Sequence, residues 1–110
     1  MARTYIFKAT GTAYAGSVIK TPAERFAIGV DMSRQLRGAT LQTVSTVVTD
    51  LADASVVTST ILVSANGVVV GNAGEVTVRT GTSGHRYRVA FILRDSLNRL
   101  YEEGLLLIVR

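Results

Sequence analysis

Apolar and polar residues alternate along much of this chain, which is the period of an extended strand. The alternation is clearest in residues 86–94, where one face carries Tyr87, Val89, Phe91 and Leu93. Valine and threonine fill many of the other segments, and β-branched residues of this kind favour strands. Turn-forming residues separate these segments at intervals of about 8–12 residues, which predicts an all-β sandwich or small barrel.

The pattern predicts strands at residues 4–9, 17–19, 26–30, 41–49, 56–65, 68–70, 75–80, 86–94 and 101–109. Residues 56–65 are long enough for one strand or for two strands with a kink between them. Asn66 and Gly67 follow, and both tolerate the positive φ of a tight turn, so a β-hairpin is predicted there. No segment sustains a period of about 3.6 residues, so no long helix is expected.

The last predicted strand is apolar on both of its faces. Leu105, Leu107 and Val109 share one face, and Leu106 and Ile108 share the other. A strand of this kind must be covered on both sides. The chain itself or another subunit can supply the second cover, so Leu106 and Ile108 are candidate interface residues.

The N-terminal segment begins with an apolar and aromatic strand and continues with small residues that contribute little core. We interpret residues 1–27 as an extended arm that adds to a sheet edge, either its own or a neighbour's, and residues 28–110 as the sandwich. Tyr5 and Phe7 in this arm are further candidate interface residues. The alternative is that the segment is simply the first strand of the domain.

Composition excludes most kinds of chemical site. The chain has 110 residues, enough for one domain, and contains no cysteine and one histidine, His85. Disulfides and thiolate metal sites are therefore excluded, and a histidine-based metal site or catalytic triad is very hard to build. We expect no catalytic residues, no metal and no cofactor.

The charge distribution gives little indication of nucleic-acid binding. The net charge is +4, but the basic residues, most of them arginine, are scattered and form no polybasic run. No apolar run reaches the roughly 18 residues of a membrane span, and no signal-peptide pattern precedes the domain. We therefore expect neither a nucleic-acid partner nor a membrane partner.

Several charged residues are candidates whose simplest interpretation is structural. Arg79, Arg86 and Arg88 cluster at one predicted corner, where they either bind phosphate or an acidic partner surface or remain a solvated face. The carboxylate pairs and His85 are expected to be solvated turn and strand residues. Glu102 or Glu103 is expected to pair with an arginine across the last hairpin. The pairs are Asp50 with Asp53 and Glu102 with Glu103.

Two short motifs are predicted to organise local structure. Tyr87 follows Gly84 at the start of a strand, which is the layout of a tyrosine corner, a fold marker of immunoglobulin-like sandwiches. Asp31 precedes Ser33 by two residues, which predicts an Asx-type turn or the cap of a helical turn.

A larger set of motifs resembles small virion structural proteins of tailed bacteriophages. It comprises VDMSRQL at residues 30–36, GATL at 38–41, the spacing of Gly81, Gly84, Tyr87 and Val89, and a final strand with Glu103 and aliphatics at 105–109. The resemblance covers residues 28–110. Met32 stands where those proteins usually carry an aromatic residue, and Ala39 stands where they usually carry aspartate.

The resemblance implies an immunoglobulin-like antiparallel β-sandwich that works as a non-enzymatic part of the virion. It implies capsid decoration (cement) or a head–tail or fibre-to-tail adaptor. The partners would be other virion proteins, such as the major capsid protein or tail subunits, and the protein would be a homo-oligomer in the assembly. The alternative is a receptor- or glycan-binding immunoglobulin-like module at a tail fibre. Arg86 and Arg88 join the candidate interface residues.

Overall fold

The computed structural model describes residues 4–110 and confirms an all-β sandwich. The described residues form nine strands and two helices of one turn each. In chain order they are β1 (Thr4–Lys8), β2 (Gly16–Lys20), β3 (Phe26–Asp31), α1 (Ser33–Leu36), β4 (Leu41–Asp50), β5 (Ser55–Val56), α2 (Thr58–Ile61), β6 (Val68–Val70), β7 (Ala73–Val78), β8 (Arg86–Asp95) and β9 (Leu100–Val109). Neither helix has the length and apolarity needed to cross a bilayer.

The strands form two sheets with the orders β1-β3-β7-β6 and β2-β9-β8-β4-β5. Most strand pairs are antiparallel, as expected for the sandwich, but the expectation fails at two edges: β1 runs parallel to β3 and β2 runs parallel to β9. Parallel neighbours cannot be joined by a tight hairpin and need a crossover. Here β2, which lies in the opposite sheet, separates β1 from β3 along the chain and makes that crossover possible.

The core lies between the sheets and is built from the inward residue of each alternating pair. Ile28, Val48, Phe91 and Leu105 are fully buried in it. The predicted inward set of β8 is correct. The Tyr87 hydroxyl accepts a hydrogen bond from the backbone N–H of Thr82 at 2.9 Å, as a tyrosine corner requires. That bond fixes the loop between the two sheets to the start of β8.

The predicted strand at residues 56–65 is wrong, because only Ser55–Val56 pairs with β4. The chain then turns through α2 and crosses to the other sheet. The hydroxyl of Thr58 accepts from the backbone N–H of Val48 at 3.0 Å, so a side chain replaces the next ladder partner. Ile61 and Leu62 are both buried although they are consecutive, an arrangement that a half-exposed strand does not allow.

The predicted hairpin at Asn66 and Gly67 is also wrong. The β6–β7 hairpin turns instead at Gly71, whose φ is 60°. Gly67 is small for a different reason: a Cβ atom there would lie 2.6 Å from a methyl carbon of Val44. The glycine therefore allows the crossing chain to approach β4 closely, and it does not form a turn.

The N-terminal strands lie on the edges of the chain's own sheets. Ala9, Val18 and Lys20 are buried in this segment, so it contributes to the core. The boundary between an arm and a sandwich at residues 27 and 28 stays a prediction.

Candidate interaction surface

Four of the six candidate interface residues lie together on the outer face of the five-stranded sheet. Ile108 of β9 lies between Ile19 of β2 and Arg86 of β8 in the strand register. On the same face of β9, Leu106 lies opposite Arg88 of β8. The sheet therefore joins residues that are about 20 positions apart in sequence into one surface.

Further apolar residues that the sequence analysis did not select extend this surface. Ile19 is 50% exposed, and Val47 and Ile92 are each 38% exposed. We call the set the outer apolar face; it comprises Ile19, Val47, Ile92, Leu106 and Ile108. The sequence could have indicated these residues, because each one alternates with buried neighbours on its own strand and therefore faces outward.

The two arginines on this face differ in how they are held. The guanidinium of Arg88 donates to the backbone oxygen of Ala13 at 3.2 Å and to Glu102 at 3.5 Å. It also lies 5.6 Å from the centre of the Tyr14 ring, a cation–π contact. Arg86 is exposed and forms no ion pair within the described residues. Arg88 therefore anchors its own chain, whereas Arg86 is available to a neighbour.

Tyr5 and Phe7 lie elsewhere, on the inward face of β1. The Tyr5 ring contacts Phe26 edge-on with 5.2 Å between centroids. The Phe7 ring occupies the space beside Gly16, where a Cβ atom would come within 2.3 Å of it. Both rings are half-buried against their own core. An interface role for them stays a prediction.

Arg79, grouped with Arg86 and Arg88 in the sequence analysis, lies outside the outer apolar face. It follows β7, and its guanidinium donates to the backbone oxygen of Ser59 at 2.7 Å. It thereby holds α2 against the four-stranded sheet. The structure separates this arginine from the other two.

Glu103 is buried and holds the backbone of a neighbouring loop. The expectation that it is a solvated strand residue is wrong. Its side chain is directed inward and is 3% exposed. One carboxylate oxygen accepts from the backbone N–H groups of Thr10 and Gly11 at 3.0 and 3.2 Å. The carboxylate thus replaces the missing sheet partners of the crossover loop (residues 9–15), which wraps the edge of β9 at this point. The other predicted pairing, Glu102 with Arg88, is present at 3.5 Å.

Asp50 and His85 form a contact that was not predicted, because both were expected to be solvated. Asp50 is only 7% exposed and lies 2.8 Å from Nδ1 of His85. The same aspartate accepts from the N–H of Ala52 at 2.9 Å and so shapes the turn after β4. The strand end brings these residues together across 35 positions, a proximity that sequence spacing does not reveal.

A second surface lies at the turn between β8 and β9. A groove of about 470 Å³ is lined by Arg34, Gln35, Arg37, Arg99, Leu100 and Tyr101. We call it the basic groove. The side chains of Arg99 and Tyr101 form its floor, and both donate to the buried Asp95, from Arg99 Nε at 2.7 Å and from the Tyr101 hydroxyl at 2.7 Å.

Hydrogen bonds determine the charge state of the Asp95 carboxylate. Burial alone raises the pKa of this carboxyl, but the bonds from Arg99, Tyr101 and Leu97 outweigh burial and lower the pKa to about 2. Asp95 is therefore charged at neutral pH and holds Arg99 in place. No sequence motif marked this network.

The Asp31 motif formed as predicted. Oδ1 of Asp31 accepts from the backbone N–H of Ser33 at 2.9 Å and from its hydroxyl at 2.5 Å. The same bonds lower the pKa of Asp31. The turn starts α1, which carries Arg34 and precedes Arg37. Residues 4–110 contain no group of three or more metal-ligating side chains.

Comparison with known proteins identifies the family of the chain. A family model described as podophage GP4 fiber-tail adaptor protein gp77 matches residues 20–108, from the end of β2 almost to the end of β9. No curated protein matches the chain. Because the family model covers most of the chain, the protein belongs to the podophage fiber-tail adaptor gp77 family and is a structural component of the phage virion.

Proposed function

We propose that the protein is a non-enzymatic adaptor that joins a fibre to the tail by burying its outer apolar face against a neighbouring virion protein. The observation that carries this proposal is the exposure of Ile19, Val47 and Ile92 on the same sheet face as the half-buried Leu106 and Ile108. These side chains stand on paired strands and not on loops. A rigid sheet presents them with little loss of conformational entropy on binding.

The scaffold is proposed to be immunoglobulin-like. The order β1-β3-β7-β6 corresponds to A-B-E-D of that fold, and the order β9-β8-β4-β5 corresponds to G-F-C-C′. The Tyr87 hydrogen bond supports the same assignment. The parallel pairing of β1 with β3 is the departure from it.

Other roles have less support. Capsid decoration stays a prediction, since the family description names a fibre-to-tail position. A receptor- or glycan-binding module would present aromatic rings on loops. Tyr14 is 40% exposed but lies under Arg88, and Tyr101 is committed to Asp95. Assembly as a homo-oligomer with the symmetry of the tail is part of the proposal.

A pair of matched double variants tests the proposal. Ile19→Glu with Ile92→Glu places two charges on the outer apolar face; Val68→Glu with Val70→Glu places two charges on the four-stranded sheet. Val68 and Val70 are 63% and 52% exposed. An unpaired carboxylate buried in an interface is strongly unfavourable, so the first variant is expected to enter virions at least about tenfold less efficiently.

The measurement is the amount of adaptor in purified virions from complemented infections, with thermal melting to confirm that both variants fold. The control variant is expected to be incorporated as the wild type is. Normal incorporation of the first variant, or an equal loss in both, contradicts the proposal.

A further inference from the structure

Four arginines converge at the end of the molecule that carries the β8–β9 turn. Arg34 and Arg37 come from α1 and the residue after it, and Arg99 comes from the turn. Arg94 lies directly opposite Leu100 in the strand register, so it borders the basic groove on the outer face of the sheet. The chain brings them together from positions as much as 65 residues apart.

The floor of the basic groove is fixed before any partner binds. Arg99 donates to Asp95 and also to the backbone oxygen of Leu36 at 3.0 Å. The Tyr101 hydroxyl donates to Asp95 at 2.7 Å and lies 3.3 Å from the backbone oxygen of Gln35. These bonds connect α1 to the β8–β9 turn. A partner would meet a preorganised site, which lowers the entropic cost of binding.

Most of the positive charge at this end is not neutralised by the chain itself. Asp95 is committed to Arg99. Arg34, Arg37 and Arg94 are exposed, and none of them forms an ion pair in the part of the chain that the structure describes. Arginine presents a planar fork that fits carboxylates in two-point contacts. The unmet charge therefore favours a ligand that carries several carboxylates.

Apolar surface accompanies this charge. Leu97 and Leu100, at the same turn, are 67% and 64% exposed. Protein interfaces combine an apolar centre with arginine and a polar rim. Nucleic acid would instead call for a longer basic stripe with aromatic or polar contacts to bases. The combination favours a protein ligand.

We propose that the basic groove binds an acidic segment of a neighbouring virion protein, with carboxylates on Arg34 and Arg37 and an apolar side chain on Leu100. The proposal rests on the adaptor function proposed above and assigns a second contact to it. A second copy of this chain is a poor source of the segment. Most of its eight carboxylates already accept hydrogen bonds within the chain: Glu24 from Thr21, Asp31 from Ser33, Asp50 from Ala52, Asp53 from Ser55, Asp95 from Arg99 and Glu103 from the crossover loop.

The test is a titration of the full chain followed by amide chemical shifts in nuclear magnetic resonance spectra. The probes are a blocked peptide Asp-Glu-Leu-Asp-Glu, its uncharged counterpart Asn-Gln-Leu-Asn-Gln, and a short DNA duplex. The acidic peptide is expected to give saturable shifts at Gln35, Arg37 and Leu100. The uncharged peptide is expected to give none.

Two double variants complete the test. Arg34→Gln with Arg37→Asn removes two charges from the groove; asparagine is chosen because Arg37 has a φ of 48°. Arg25→Gln with Arg110→Gln removes two exposed charges outside the groove lining. The groove variant is expected to bind the acidic peptide at least about tenfold more weakly, while the control stays within about twofold of the wild type.

Equal weakening in both variants, equal shifts with the two peptides, no saturable shift, or tighter binding of the DNA duplex at this groove would overturn the proposal. The experiment needs no virion, so its failure is distinguishable from failure of the adaptor proposal. The outer-face variant Ile19→Glu with Ile92→Glu is expected to bind the peptide normally. If that variant also enters virions normally, the proposed contact through the outer apolar face fails, while the peptide titration still decides whether the groove binds an acidic segment.

Discussion

At the scale of single residues, buried polar side chains hold the irregular parts of this fold. Asp95 accepts from two backbone N–H groups, of Leu97 and Arg99, in addition to the two side chains that form the floor of the basic groove. Lys20 is 1% exposed, and its ammonium donates to backbone oxygens of Thr21 and Thr80. Burial lowers the pKa of Lys20. Each group satisfies backbone atoms at a strand end.

Replacing Asp95 by asparagine is expected to lower the melting temperature at pH 7 and to weaken its dependence on acid pH. The folded-state pKa of about 2 lies below the unfolded value of about 3.9, so ionised Asp95 stabilises the fold. This contribution is complete above about pH 4 and is lost as the pH falls towards 2.

Melting curves of the wild type and Asp95→Asn between pH 2 and 7 measure this effect. Glu102→Gln is the control, since Glu102 is exposed and forms only a long contact with Arg88. A variant that melts at the same temperature as the wild type at pH 7, with the same loss in acid, contradicts the role given to Asp95.

The sequence could predict the inward aliphatics, because strand parity decides which face each one occupies. It could not predict the partners of Asp50 and Glu103. Their hydrogen-bond partners are His85 and the Thr10–Gly11 backbone, 35 and 93 positions away. Only the pairing of strands brings such groups into contact. The sequence around a charged turn residue does not show whether that residue is buried.

At the scale of secondary-structure elements, long alternating segments were predictable and connections between sheets were not. The predicted ranges for β4, β8 and β9 each lie within one residue of the observed ends. The segment around α2 failed because β-branched residues favour strands, yet Ile61 and Leu62 must both be buried where the chain changes sheets. Tertiary packing overrode local preference there.

The crossover loop is held from both sides of β9, by Glu103 within and by Gly104 and Arg88 outside. A Cβ atom at Gly104 would lie 2.3 Å from the backbone oxygen of Ala13 and 2.8 Å from Arg88 Nη2. The backbone N–H of Ala15 donates to the Gly104 oxygen at 2.7 Å. The missing side chain at position 104 therefore lets the crossover loop pass close to β9.

Gly104→Ala is expected to displace the crossover loop and to lower the free energy of unfolding by about 1–3 kcal/mol, the usual range for overpacking. Hydrogen exchange provides the local readout. The Ala15 amide should lose protection, while amides in the β4–β8 ladder keep theirs up to global unfolding. Unchanged protection at Ala15 would show that the loop does not depend on this glycine.

At the scale of the whole molecule, the sandwich presents two different surfaces, and the sequence pointed to only one of them. The doubly apolar pattern of β9 marked Leu106 and Ile108 as candidate interface residues, and the register places them opposite Arg88 and Arg86. No pattern in the sequence predicted the basic groove. Its arginines come from α1 and from the β8–β9 turn, and no spacing rule connects positions 34 and 99.

The location of this sandwich in the assembled particle tests the central claim most directly. A cryo-electron microscopy map of virions, at a resolution that separates strands, is expected to show the nine-stranded fold between tail and fibre. Ile19, Ile92 and Ile108 should be buried against a neighbouring protein. Density for the fold on the capsid shell, or an outer face of β9 and β8 open to solvent in the tail, would contradict the account.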